Sequence, residues 1–427
     1  MRQKLHTLSK EEARKRYRDL NEILQRFGQQ ELNLDLSRGK PSMEQLDMVS
    51  ELFSESSLIS FLAEDGTDTR NYGAPDGIPE ARRLMSELIG TDSDKVIVYG
   101  ESSLELMYTF FMRAAVFGLP GAEKPWSRSE AFAVLCPVPG YDRHFAISEA
   151  FGASNIPVPM TPTGPDMEAV KEILRANPSV KAMWLVPIYS NPTGHTVSME
   201  TLKQLAAMDA PDDFVIFYDN AYAAHPVLDE EAPVLPDFLK LCAEAGNPER
   251  AVVFASTSKM TYASGGMAAI ALNEGLKHWW KEIQAVQTIG PNKVNQLMHT
   301  QLIRDAGGIR ALMRRHQQLL APRFRLALDI LEERLGGLGI ATWTRGGGGY
   351  FISIDLLSGT AKRTIELASE AGVKLTPAGA TWPGGIDPED SNIRLATSYP
   401  GFDELRPALE VFCLSAELAA LEKMMKD

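Results

Sequence analysis

From about residue 70 to residue 290, short apolar runs alternate with capped amphipathic segments, and this alternation restricts the fold more than any other feature of the chain. It is the pattern of a mainly parallel sheet wrapped by helices. The expected strands are Val96 to Tyr99, Phe132 to Cys136, Ala182 to Val186, Phe214 to Tyr218, Val252 to Ala255 and Met267 to Leu272. Several end directly at Gly, Pro, Asn, Asp or Ser, where a doubly wound fold places its ligand groups. Ahead of them, Ser9 and Glu12 have capping-box form, and Ala13, Tyr17, Leu20, Leu24 and Phe27 recur at helical spacing until Gly28. This spacing predicts an amphipathic opening helix.

Beyond the alternating region, a helical stretch from about Ala311 to Leu335 leads to Gly346 through Gly349 and the strand-like Tyr350-Phe351-Ile352-Ser353-Ile354-Asp355. A last helix is expected around Phe402 to Met425. Together these predict a second, smaller α/β domain. The expected division is a large domain over 61–310, a small C-terminal domain over 311–427, and an N-terminal segment, 1–60, that packs with the small domain. A chain of 427 residues exceeds one ordinary compact core, in agreement with two domains.

Charge and composition remove several classes of function. The formal net charge of -13 argues against a nucleic-acid surface, which needs clustered Lys and Arg to displace counterions. No run approaches the roughly 18 apolar residues of a membrane span. Met1-Arg2-Gln3-Lys4-Leu5-His6 runs into Lys10-Glu11-Glu12 and lacks the apolar core of a signal peptide, so a cytoplasmic location is expected. Cys136, Cys242 and Cys413 are scattered, without metal-ligand spacing, and read as reduced thiols; no structural zinc is expected.

The chemistry concentrates at three strand ends. Asn191-Pro192-Thr193-Gly194 follows Met183-Trp184-Leu185-Val186, and turn chemistry alone would explain it. Asp219, however, ends Val215-Ile216-Phe217-Tyr218 and leads to Asn220-Ala221-Tyr222, and Ser256-Thr257-Ser258-Lys259 follows Val252-Val253-Phe254-Ala255. Successive strand ends therefore offer an amide, a carboxylate and an amine. In the small domain, Asn392-Ile393-Arg394-Leu395-Ala396 puts a cation inside an apolar strand, which is costly unless an anion meets it. That anion is either a structural carboxylate or a ligand.

On these residues the chain resembles the fold-type I pyridoxal phosphate (PLP) aminotransferases, from about residue 33 to the C-terminus, and is most similar to a divergent bacterial aspartate aminotransferase subgroup. The resemblance implies that Lys259 carries PLP as a Schiff base and shuttles the Cα proton, with pyridoxamine phosphate formed in the half-reaction. It implies that Asp219 keeps the pyridine nitrogen protonated, and that Asn191 and Tyr222 donate to the cofactor phenolate oxygen. Tyr141, in Pro139-Gly140-Tyr141-Asp142-Arg143-His144, matches the aromatic stacked on the cofactor ring, and His144 the histidine bonded to the pyridine-binding Asp.

For the phosphate, Gly100-Glu101-Ser102-Ser103 lies between a strand and a helical run, a context suited to anions and equally to simple capping by Ser102 or Ser103. Ser256 and Ser258 resemble further phosphate ligands. Tyr72, in Asn71-Tyr72-Gly73, resembles the aromatic that reaches the phosphate of a neighbouring subunit, which implies a homodimer with shared sites. Many relatives place an Arg where this chain has Met267, so neutral donors or another cation must serve.

For substrate, Arg394 matches the residue that grips the α-carboxylate, with Asn191 beside it, and Gly39 the glycine that closes over the site. Arg38 is the candidate partner of a second carboxylate, ahead of Arg143 and Lys40. The implied activity is ping-pong transfer of an amino group between an L-amino acid, first aspartate, and a 2-oxo acid, first 2-oxoglutarate. An aromatic or alanine-type aminotransferase, or a PLP lyase acting at Cβ, shares the same residues. An effector-binding module of a transcription regulator needs a preceding helix-turn-helix domain, whereas here the resemblance starts near residue 33.

Overall fold

In a computed structural model describing residues 3–55, 60–129 and 131–426, the alternating region forms one eight-stranded sheet. Met1, Arg2, 56–59, Glu130 and Asp427 lie outside the described residues, including the start of the leader reading and part of the expected 1–60 segment. A short strand, β1 (Leu34–Asp35), precedes the sheet. The sheet itself comprises β2 (Val96–Val98), β3 (Ala133–Val138), β4 (Ser154–Thr161), β5 (Gly164–Pro165), β6 (Val180–Leu185), β7 (Val215–Asp219), β8 (Ala251–Ser256) and β9 (Ala268–Ala271). Their order is β2-β9-β8-β7-β6-β3-β4-β5. Strands β3, β4, β6, β7 and β8 are mutually parallel, and β9 and β5 run antiparallel to their neighbours.

The reason these strands read as unbroken apolar runs is that both faces are covered. Along β7, Val215 and Phe217 enter one core cluster, while Ile216 and Tyr218 enter the cluster on the opposite face. Phe217 is wholly buried between Trp184, at 4.4 Å between ring centroids, and Phe254, at 5.8 Å. Each expected strand is present, with ends shifted by a residue or two. Strand β4 was not expected: only Val158 in it is buried, it carries Pro157 and Pro159, and it lies near the sheet edge, so it shows no apolar run.

The remaining chain builds a second core. Strands β10 (Ala341–Trp343), β11 (Phe351–Leu356), β12 (Val373–Lys374) and β13 (Asn392–Ala396) follow, with β10-β11-β13 an antiparallel sheet and β12 paired with β1. The opening helix Lys10–Gly28 starts at the Ser9/Glu12 capping box, where the Ser9 amide donates to Glu12 Oε2 at 2.8 Å, and packs against the last helix, Phe402–Lys426. The helix Ala306–Leu335 joins the two cores: Ile309, Leu312 and Met313 belong to the large sheet's cluster, and Leu320 onward to the small one. Among the described residues no helix is long and apolar enough to cross a membrane, and no His/Cys/Asp/Glu group could hold a metal ion.

Truncating Phe217 tests the aromatic stack beneath β7. Phe217→Ala should lower the unfolding free energy by about 3 to 5 kcal/mol, read from urea denaturation. A loss under about 1 kcal/mol would mean that the stack contributes little to the stability of the sheet.

Candidate active site

Because β6, β7 and β8 are parallel neighbours, the chain leaves all three at one edge of the sheet. Asn191 lies in the loop after β6, Asp219 is the last residue of β7, and Lys259 sits in the turn after β8. A crevice outside the carboxyl ends of parallel strands is where such sheets bind ligands.

Asp219 is buried, and only one of its oxygens is satisfied. His144 Nε2 donates to Asp219 Oδ2 at 3.0 Å, while Oδ1 has no partner among the described residues. His144 is held in turn by stacking on Trp184, with centroids 4.5 Å apart and planes 10° from parallel. The Trp184 indole donates to Ser148 Oγ at 2.9 Å, so the histidine plane is fixed from below. Tyr141 meets the His144 ring edge-on at 4.9 Å, and its hydroxyl is pushed up to about 12 chiefly by burial, then by Asp142 and Asp219.

Lys259 Nζ lies 4.7 Å from the centroid of the Tyr222 ring. Burial drives the amine below its ordinary pKa, towards its nucleophilic neutral form, and Asp219 opposes that shift. Burial also raises the Tyr222 hydroxyl well above its usual value. Arg394, on β13, donates from Nη1 to Asp142 Oδ1 at 3.0 Å and to Asn191 Oδ1 at 3.3 Å, and its buried Nε has no acceptor among the described residues. Its guanidinium covers the Phe351 ring at 4.8 Å. Gly39 rests on the other part of that ring: a Cβ there would come within 2.0 Å of Phe351 Cζ.

A family model described as aspartate amino-transferase matches residues 8–427. The chain belongs to that family. An aspartate aminotransferase of Corynebacterium glutamicum is 45% identical over 407 residues, covering 95% of this chain and 94% of its own. The crystal structure of an aspartate transaminase from the same species superposes with a TM-score of 0.95 at 44% identity, covering 99% of each chain. An α-aminoadipate aminotransferase of Thermus thermophilus, solved with N-(5'-phosphopyridoxyl)-L-leucine, shares the fold at a TM-score of 0.71 and 21% identity, over 92% of this chain and 93% of its own. The architecture is that of the fold-type I PLP-dependent transferases, a large sheet domain with a smaller α/β partner.

The residues present fit pyridoxal phosphate. A buried carboxylate oxygen lacking a donor suits a protonated pyridine nitrogen, and an amine depressed by burial suits an aldehyde. On the phosphate side, Ser258 Oγ donates to the Glu101 carbonyl at 3.1 Å, bringing the turn after β8 against the loop Gly100 to Ser103. Ser102 caps the helix Ser103–Phe117 by accepting from the Glu105 amide at 3.4 Å, and Ser256 ends β8. Met267 is buried in the core, and its amide donates to Thr257 Oγ1 at 2.9 Å. Tyr72 is 78% exposed, outside this cluster, and next to it Lys293 Nζ donates to the Gly73 carbonyl at 2.9 Å.

The other cations named from the sequence have these surroundings. Arg38 pairs with Asp35 at 3.4 Å, Lys40 covers the Tyr399 ring at 4.1 Å, and Arg143 is exposed. Asp142 and Phe351, both against Arg394, drew no assignment from the sequence. His225 was also unassigned. It is buried against Tyr222 and Tyr350.

Burial, then the charges of Lys259 and His316, push His225 down to about 3 from an ordinary 6.5. The native state thus holds it neutral where the unfolded chain would protonate it, so stability is lost as pH falls from 6.5 towards 3. His225→Phe should remove one proton from that dependence, about 1.4 kcal/mol per pH unit within the window. Urea midpoints that fall in parallel for both proteins would assign the acid sensitivity to other groups.

Proposed function

We propose that this aminotransferase moves the amino group of aspartate to 2-oxoglutarate by a ping-pong mechanism. One observation carries the reading: Asp219 Oδ1 and Arg394 Nε are both buried without a partner among the described residues, with the Lys259 amine 4.7 Å from the Tyr222 ring. A pyridinium and a substrate carboxylate would supply those two partners. The choice of aspartate rests on the 45% identical relative from Corynebacterium glutamicum that bears that activity in its name.

When bound, pyridoxal phosphate supplies an aldehyde that condenses with amines and a ring that accepts the charge left by a departing Cα proton. Lys259 would hold the cofactor through Nζ, and the same amine would move the proton at substrate Cα. Asp219, oriented by His144, holds the proton on the ring nitrogen. The Asn191 amide nitrogen and the Tyr222 hydroxyl donate to the phenolate oxygen, and Tyr141 covers the ring. Ser102, Ser103, Ser256 and Ser258 bind the phosphate at the N-terminus of the helix Ser103–Phe117. Arg394 grips the α-carboxylate and so fixes the direction of the breaking Cα–H bond. Gly39 lets the N-terminal segment close over the substrate, and Arg38 receives the second carboxylate on closure. Tyr72 serves the partner subunit's phosphate in a homodimer, a reading its exposure supports.

Single amino acids mixed with the cofactor-loaded enzyme should convert bound cofactor to its amine form fastest with aspartate, followed by absorbance. Lys259→Ala should abolish the conversion, and borohydride trapping of the native enzyme should mark Lys259 in a peptide map. A preference for monocarboxylic donors would remove the aspartate reading. The pyridoxyl mass on a different lysine would sink the assignment of Lys259.

Subunit exchange tests the shared site separately. Tyr72→Ala and Lys259→Ala proteins, each inactive or weak alone, should regain activity on mixing, because one hybrid site per dimer carries both native residues. Silence after proven exchange would place Tyr72 in its own subunit's site or in none.

A further inference from the structure

Behind Lys259 lies a buried polar cluster that neither the cofactor nor the substrate reading uses. Gln45, His316 and Tyr350 come from the helix Met43–Glu55, the helix Ala306–Leu335 and the residue before β11, and their exposures are 0%, 1% and 1%. Gln45 Oε1 accepts the Ser42 amide at 3.0 Å, which fixes the direction of the side-chain amide. Its Nε2 therefore points at His316 Nδ1, 2.7 Å away, and at the Tyr350 hydroxyl, 3.4 Å away.

An amide NH2 only donates, so His316 Nδ1 must accept and the ring proton sits on Nε2. That nitrogen donates to the Met260 carbonyl at 2.7 Å. The Tyr350 hydroxyl donates to the Lys259 carbonyl at 3.3 Å. The carbonyls of Lys259 and of the residue after it are thus each held by one member of the cluster. Burial keeps His316 below its ordinary pKa, which favours the neutral ring that this pattern needs.

We propose that Gln45, His316 and Tyr350 are positioning residues that fix the peptide of Lys259, and that Gln45 ties this peptide to the N-terminal segment that runs from Gly39 to Ser42. The proposal rests on Lys259 as the reactive lysine. The geometry gives the coupling a direct route: Gly39 packs on the Phe351 ring, Tyr350 precedes Phe351, and Gln45 follows Gly39 within one helical turn of the Ser42 amide it accepts. A donor left unpartnered at this depth of burial keeps its desolvation cost, so removing one member loosens the others. Small displacements of a proton-transfer group are costly to the rate.

The test uses the full, cofactor-loaded chain with Gln45→Met, His316→Met and His316→Gln. Glutamine at 316 restores one acceptor and one donor; methionine restores neither. Both Met variants should speed amide hydrogen exchange over 257–263 by about tenfold, the loss of one buried hydrogen bond, while 251–255 stays protected. They should also lower kcat by about tenfold or more with KM changed little, and His316→Gln should stay near wild type in both readouts. Unchanged exchange over 257–263 in the Met variants overturns the proposal, as does equal impairment by Gln and Met at 316. Tyr350→Phe, which deletes only the hydroxyl, gives the same exchange readout if a Met variant does not fold. Exchange is measured without substrate, so a wild-type enzyme that ignores aspartate would defeat the specificity reading and leave this test standing.

Discussion

A carboxylate held out of water at the end of an apolar strand is the constraint on which the site depends. Asp219 has one oxygen bonded to His144 and one without a partner among the described residues, and a buried carboxylate is costly unless its oxygens are met by donors. The fold maintains this arrangement through packing. Phe217, two residues earlier on the same strand, is clamped between Trp184 and Phe254, and Trp184 also carries the His144 ring. The hydrophobic stack that stabilises the sheet therefore also sets the direction of the His144–Asp219 bond. A residue that looks purely structural in the core has a direct line to the chemistry.

Arg394 makes the corresponding demand in the small sheet. Its register partner on β11 is Ser353, and its guanidinium reaches across to Asp142 and Asn191, both on the large sheet's side. The two cores thus meet through a cation as well as through the helix Ala306–Leu335, which is buried in both. On the proposed reading, a carboxylate at Arg394 would lie on that junction, and its binding would be coupled to the placement of the small domain.

The large sheet was legible because its strands are covered on both faces and so announce themselves as apolar runs, and Asn191, Asp219 and Lys259 stand out because each is a polar group at or just beyond the end of such a run. Strand β4 was not legible, since its prolines and its single buried residue, Val158, leave no apolar signal. Nor was the pairing of Asp142 with Arg394, which are 252 positions apart and meet only through the tertiary fold. Gln45 and His316 were silent for the same reason: each reads as one more polar residue on an amphipathic helix, and only their meeting, 271 positions apart, reveals a network. Arg38 shows the reverse case, a cation whose position in the sequence suggests substrate while its visible partner is Asp35.

The arrangement at Arg394 explains how one guanidinium can be both structural and available. Asp142 and Asn191 accept from the same nitrogen, Nη1, and the Phe351 ring lies against the guanidinium. These contacts set the guanidinium plane before any ligand arrives, while Nε remains without an acceptor among the described residues. A carboxylate that adds on the Nε side inherits a plane already fixed by the protein, so little orientational freedom is left to lose on binding. Asp142 meanwhile keeps the cation from lying unpaired in a dry interior, the condition under which a buried charge is most destabilising. The two anions weighed in the sequence need not exclude each other: Asp142 occupies Nη1, and on the proposed reading a substrate carboxylate would take the Nε side.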